Sequence, residues 1–176
     1  MEFKQTDRNN LHEILNIYES ARRYMSENGN PNQWVNGYPD KKTILLDIEK
    51  GHHFICSDGI RILGCFAFIG GDDPTYKKII HGKWLDNNPY AVIHRIAVLE
   101  QCKGIGSACI EWCFSRCSNI RIDTHPDNIS MQRLLLKNEF KYCGMIYNSW
   151  GDERLAFQKT NEVPRKPVFH SRDIYK

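Results

Sequence analysis

No stretch of this 176-residue chain is apolar for long enough to read as a membrane span, and its first residues, "MEFKQTDRNN", resemble neither a signal nor a transit peptide. Those absences set the expectation of a cytoplasmic protein that does not act at a membrane. A large charge imbalance is missing too. The formal net charge of +3 gives no reason to expect nucleic acid as a partner. Repeats and low-complexity tracts are absent, and no pair of the seven cysteines has C-x-x-C spacing. An odd number of thiols without an export signal points to free cysteines in a reducing compartment. Cys109, Cys113 and Cys117 recur every four residues, which stacks them on one helix face. A single helix does not supply a converging fourth ligand, so they read as a buried stripe and no metal is expected.

What is present is ordinary for one domain: 41% hydrophobic and 26% charged residues, in a chain long enough to bury a core. "EFKQ" reads as a first strand, followed by a helix capped by Thr6 or Asp7, with Leu11, Ile14, Leu15, Tyr18, Ala21 and Met25 on its buried face. "ENGNPNQWVNGYPD" breaks it. "KKTILLDIEKG" is a second helix, and "HHFICS" and "IRILGCFAFIGG" are strands around an Asp-Gly turn. After a polar insert at 72–89 come the strand "YAVIHRIAV", the helix "GIGSACIEWCFSRC", the strand "NIRIDT", the helix "DNISMQRLLLKN" and two closing strands. Residues 1–159 read as one mixed α/β domain and 160–176 as a tail, docked or mobile.

The loop "LEQCKGIGSAC" links a strand to a helix. Backbone N–H groups from Gln101 through Cys102, Lys103 and Gly104 to Ile105, Gly106 and Ser107 would face the unpaired, partly positive start of that helix. Such a start suits an anion, and Gly104 and Gly106 would let the backbone approach phosphate oxygens. G-x-x-x-x-G-K-[ST] is absent, which argues against triphosphate hydrolysis. "GIGSAC" nearly matches the dinucleotide pattern G-x-G-x-x-G, with Asp123 as the distal acid. However, "LEQCK" separates strand from glycine, and too little chain follows for a second half-sheet. Coenzyme A is the third phosphate ligand to consider.

"RIAVLEQCKGIGSACIEWC" and "IRIDTHPDNISMQRLLLKNEFKYCGMIY" together resemble the core of the GNAT family, the GCN5-related N-acetyltransferases. The family signature Q/R-x-x-G-x-G/A is met by Gln101, Gly104 and Gly106, between strand and helix. Glu139-Phe140 stands where the family usually has Gly-Phe. The resemblance spans about residues 2–159. It implies a largely antiparallel sheet with one splayed parallel pair, flanked by helices, and transfer of acetyl from acetyl-coenzyme A to a primary amine. It further implies that the cofactor's pyrophosphate rests on the amides of 101–107. The pantetheine arm would pair along Ile96, Ala97 and Val98 and touch Asn128, and a strand amide near Val98 would hold the oxyanion.

His94, in the strand beside that arm and of the same parity as Ile96 and Val98, is the candidate base, because imidazole titrates near physiological pH. Asp123 and His125 form a second possibility. The family's acidic tyrosine would fall at Leu135, so that acid is missing. The link between Val98 and Gln101 is two residues shorter than usual. By analogy the acceptor, a small molecule or a peptide amine, would lie among Trp34, Tyr38, Tyr147 and Trp150, with Asp152 or Glu153 meeting a cationic amine. The alternatives are a non-catalytic acyl-coenzyme A sensor and a nicotinamide-dependent oxidoreductase. A homodimer is compatible with the resemblance.

Overall fold

The computed structural model describes residues 1–99 and 102–161. Seven strands form one sheet: β1 (Glu2–Gln5), β2 (His53–Ser57), β3 (Ile62–Gly70), β4 (Ala91–Val98), β5 (Asn119–Thr124), β6 (Lys141–Tyr147) and β7 (Glu153–Thr160). Their order is β1-β2-β3-β4-β5-β7-β6. Every neighbouring pair is antiparallel except β4 and β5. A doubly wound sheet is mostly parallel, whereas here only β4 and β5 are, so the dinucleotide reading of "GIGSAC" has no frame. β7 takes in Thr160, and the N–H of Asn161 donates to the Ser118 carbonyl at 2.9 Å. The rest of the expected tail, 162–176, lies outside the described residues.

Four helices cover the sheet: α1 (Leu11–Glu27), α2 (Lys41–Glu49), α3 (Ile105–Phe114) and α4 (Ile129–Lys137). Their starts follow the capping chemistry. Asp7 caps a 3-10 turn that runs into α1, Asp40 accepts from Thr43 N–H at 2.8 Å to start α2, and Asn128 caps α4. α3 and α4 lie on one face, over Phe66, Phe68, Ile93, Ile120, Ile122 and Phe157. The cysteine stripe belongs to this core: Cys109, Cys113 and Cys117 are all buried, and burial drives the Cys113 thiol well above its ordinary pKa. α1 and α2 cover the opposite face, where Ile14, Ile17 and Tyr18 pack on Ile55, Ile62 and Cys65.

The insert at 72–89 covers the rest of that second face. Asp73 caps a 3-10 turn (Pro74–Tyr76), and Tyr76 packs with Tyr90, Val92, Ile146 and Ala156. Trp84 stacks on Tyr76 at 5.5 Å, and the Arg121 guanidinium lies 4.2 Å from Trp84 and 3.9 Å from Tyr90. A bridge between Ile80 and Met145 ties the segment to β6. Its polar composition therefore hides a structured cover.

Two irregularities shape the middle of the sheet. β4 and β5 pair only at Ala91–Ile120 and Val92–Arg121, then diverge. In β4 the register with β3 slips: Ala67 faces His94 and Cys65 faces Ala97, so three steps on β4 match two on β3. Arg95, at the bulge, has φ 54. A left-handed arginine costs about 1 kcal/mol or more, and two anchors hold it. Tyr18 Oη donates to the Arg95 carbonyl at 3.0 Å, and the guanidinium meets Asp47 at 2.8 Å.

Candidate active site

A continuous cavity of about 600 Å³ runs through the gap where β4 and β5 part, within the size range of small-molecule sites. Its two ends are built differently.

At one end, Ile96, Val98, Cys102, Gly104 and Gly106 meet Asn128, Met131 and Leu134 of α4. Gly104 is the N-cap of α3, with φ 86 and no side-chain cap bond. The N–H groups of Gly106 and Ser107 make no backbone hydrogen bond among the described residues. An uncapped helix start with free donors is suited to an anion such as a pyrophosphate. Past Val92, alternate backbone groups of β4 have no strand on the β5 side, as an extended arm laid in the gap would require. These features fit coenzyme A.

The two glycines have different reasons. A Cβ on Gly104 would meet nothing, so its requirement is the positive φ. On Gly106 a Cβ would come within 2.9 Å of Leu134 Cδ2, so that glycine eases the close packing of α3 on α4. Lys103 is exposed and Ile105 is buried in the core. The Ser107 hydroxyl accepts from Asn138 Nδ2 at 3.0 Å, and Gln101 lies outside the described residues. Asn128 is the α4 cap, its Oδ1 accepting from Met131 N–H at 3.0 Å, while its Nδ2 donates to Gln33 Oε1 at 2.7 Å. Ala97 lines the cavity but packs its side chain against the α1 face. Leu135 is fully buried, so the position of the family's tyrosine is a core position here.

At the other end the walls are side chains: Trp34 and Tyr38 from the α1–α2 loop, Asp73 and Thr75 from the insert, His94 and Arg95 from β4, Asp123 from β5, and Trp150 and Arg154 from the last hairpin. Trp34 packs edge-on against Tyr18 at 5.7 Å, and Tyr38 against Trp150 at 5.1 Å. Tyr38 Oη also accepts from Arg95 Nη1 at 3.1 Å.

His94 Nε2 lies 2.9 Å from Asp73 Oδ2. Burial raises the Asp73 pKa, but hydrogen bonds from His94 and from the Thr75 hydroxyl and amide outweigh it and bring it to about 2. Asp73 is therefore an ionised acceptor, which places the imidazole proton on Nε2 and leaves Nδ1 as the acceptor nitrogen.

The parity expected for His94 is corrected by the bulge. Ile93, Ile96 and Val98 pack toward α3, whereas His94 turns to the opposite face with Val92, its ring 6.1 Å from that of Tyr76. The extra residue at Arg95 breaks the alternation.

Tyr147 is a second correction. It is not among the cavity-lining residues, is 43% exposed, and its hydroxyl faces Glu153 Oε1 at 3.4 Å. Its neighbour Ile146 packs under the insert on the cavity's side of the sheet, so alternation turns Tyr147 away. Asp152 and Glu153 likewise miss the cavity, and the residue of that hairpin strand that enters it is the cation Arg154. Asp123 accepts from Tyr76 Oη at 2.6 Å, and His125 accepts from Asp127 N–H at 3.1 Å without lining the cavity. Sequence reasoning missed Asp73, Arg95 and Arg154. Asp-Pro-Thr, a capping acid before a helix-starting proline, was the available signal for Asp73.

The model of the family described as "Acetyltransferase (GNAT) family" matches residues 11–140. Among solved structures, an acetyltransferase of the GNAT family from Streptococcus agalactiae 2603 superposes with a TM-score of 0.82 at 32% identity, covering 92% of this chain and 96% of its own. A putative acetyltransferase from Staphylococcus aureus MU50 gives a TM-score of 0.66 at 22% identity over 91% and 99% of the two chains. A GNAT-family acetyltransferase from Listeria monocytogenes 4b F2365 gives 0.64 at 18% over 90% and 93%, and these last two speak to the fold alone. No curated protein sequence matches the chain.

Proposed function

Because the chain belongs to the GNAT family of acetyltransferases, we propose that it moves the acetyl group of acetyl-coenzyme A onto a primary amine by direct attack, with His94 as general base. The observation that carries this reading is the continuity of the cavity, from the open start of α3 through the strand gap to the His94–Asp73 pair. When bound, acetyl-coenzyme A supplies the acetyl group as a thioester, an activated form that needs only a neutral amine.

In this reading the amides at the start of α3 hold the pyrophosphate, and the open edge of β4 at Ile96–Val98 orients the arm. His94 Nδ1 accepts the proton the amine must lose, while Asp73 fixes the tautomer and stabilises the imidazolium. This division of labour follows a familiar logic, in which a buried carboxylate orients a base rather than taking the proton itself. The half-buried rings of Trp34 and Tyr38 supply apolar walls beside the reacting amine. With a buried leucine at 135, no side chain from that position donates a proton to the departing thiolate.

The test is thermal unfolding with acetyl-coenzyme A or NADH, followed by mass detection of acetylated product over an amine panel. At a hundredfold excess over its dissociation constant, a ligand stabilises by about 2.7 kcal/mol, a shift of a few degrees for a chain of this size. Acetyl-coenzyme A should produce that shift and NADH should not. A shift without turnover of any amine would favour the acyl-coenzyme A sensor, and no shift would remove the cofactor assignment.

A further inference from the structure

Arg154 is held differently from the other buried arginines. It sits on β7, cross-strand from Ile146, with its side chain 5% exposed and lining the acceptor end of the cavity. A guanidinium carries five N–H donors. Among the described residues, Arg154 makes one hydrogen bond, from Nη1 to the Glu153 carbonyl at 3.0 Å. Its ion-pair contacts are long: Asp123 and Asp152 stand 3.8 and 3.6 Å away, so their charges are near but neither takes a hydrogen bond from it. Arg95 is in closer ion-pair contact, with Asp47 at 2.8 Å, and donates to Tyr38, leaving its Nε without a hydrogen bond. Arg121 donates to the Asp86 carbonyl at 2.9 Å and stacks on two rings.

The charges around Arg154 already have partners. Asp73 is paired with His94, and Asp123 accepts a 2.6 Å hydrogen bond from Tyr76. A guanidinium only 5% exposed and lining a ligand cavity, with donors that make no hydrogen bond among the described residues, matches a planar anion, which it can grip with two parallel hydrogen bonds. The cavity is thus polarised. One end accepts a proton at His94, and another point offers a cation. A dipolar acceptor satisfies both at once.

We propose that Arg154 is the carboxylate subsite of the acceptor pocket and that the acceptor is a free amino acid, its amine delivered to His94 and its carboxylate to Arg154. The inference rests on the acetyl-coenzyme A reading above and narrows its acceptor. The indole and phenol faces of Trp34, Tyr38 and Trp150 suit an apolar side chain between the two polar anchors. An acidic hairpin made to receive a cationic amine is replaced by a basic point that receives an anion. A peptide or protein N-terminus, whose first carboxyl is an amide, leaves Arg154 without its partner.

The experiment compares the L-amino acids with their carboxamides as acceptors, using the full chain, acetyl-coenzyme A and mass detection of the N-acetyl product. The expected result is a kcat/KM about 10- to 100-fold higher for the free acids, the worth of a charge-assisted hydrogen bond. In Arg154→Gln that ratio should fall toward one, chiefly through KM of the free acids, and Arg154→Lys should restore part of it. The melting shift given by acetyl-coenzyme A reports whether each variant is folded with its cofactor end intact. Should Arg154→Gln not fold, the wild-type ratio and the Arg154→Lys variant decide. Carboxamides used as well as free acids, or a ratio unmoved by Arg154→Gln, would overturn the carboxylate subsite while leaving the acetyltransferase reading in place. Loss of the acetyl-coenzyme A shift in the wild type would take both away.

Discussion

The two ends of the cavity meet in one gap but are made of different materials. The end at α3 is backbone: an αL glycine, free N–H groups at a helix start, and a strand edge without a neighbour. The other end consists of side chains delivered by the α1–α2 loop, the insert, β4, β5 and the last hairpin. Backbone amides carry no side-chain identity, so the first end can recur under varied sequences. The second depends on particular residues and is where an acceptor would be chosen.

If that division holds, substitutions at one end should leave the other substrate's affinity alone. The largest effect is expected for His94→Ala. Its kcat should fall about 10²- to 10⁴-fold, with the acetyl-coenzyme A melting shift retained. A weakened cofactor shift in this variant would break the comparison. Asp73→Asn should lower kcat by about 10- to 100-fold, because an amide can donate to Nε2 and move the imidazole proton onto Nδ1, the wrong nitrogen for a base. Steady-state kinetics across pH would read both.

Gly104→Ala addresses the opposite end. An L-residue at φ 86 should destabilise by about 1 kcal/mol or more and weaken acetyl-coenzyme A binding, while KM for the amine stays unchanged. Differential scanning calorimetry and titration of the cofactor would separate the two effects.

A last prediction concerns stability near the site. His53 is buried between Thr6 Oγ1 at 2.7 Å and Tyr18 Oη at 3.1 Å, and burial, with the charge of Arg95, lowers its pKa to about 3. The unfolded chain, with an imidazole near 6.5, binds a proton that the folded chain refuses. Stability from this group is therefore full above about pH 6.5 and falls as pH drops toward 3. The loss should be on the order of 2 kcal/mol between pH 6.5 and 5. Urea unfolding at those two pH values, compared with His53→Gln, would show whether the slope belongs to this residue.

Much of the frame was legible along the chain because its signals are local. The strand "NIRIDT" is β5 residue for residue, and Asp7, one of the two caps expected for the first helix, caps the 3-10 turn that runs into α1. The anion loop was legible for the same reason, since a helix start and its glycines are neighbours in sequence. The acceptor end was read less well. His94 was identified as a candidate, but its parity with Ile96 and Val98 failed at the Arg95 bulge, which no residue type announces. Tyr147 was expected in the pocket from its place in the hairpin, and strand alternation turns it out. Asp73 and Arg154 went unread because each gains its role from a partner or cavity formed by distant segments.

The sequence by itself determined the order of elements, the caps and the α3 loop with its family resemblance, all of which depend on contacts within a few residues. The tertiary structure alone decided that Asp73 orients His94, that β4 changes face at Arg95, and that Arg154 enters the cavity with open donors. Those depend on strand register and on chain segments brought together from 21 to 47 residues apart, as in His94–Asp73 and Tyr76–Asp123. Hydrophobic periodicity reports which face a residue takes, but not which distant side chain it will find there.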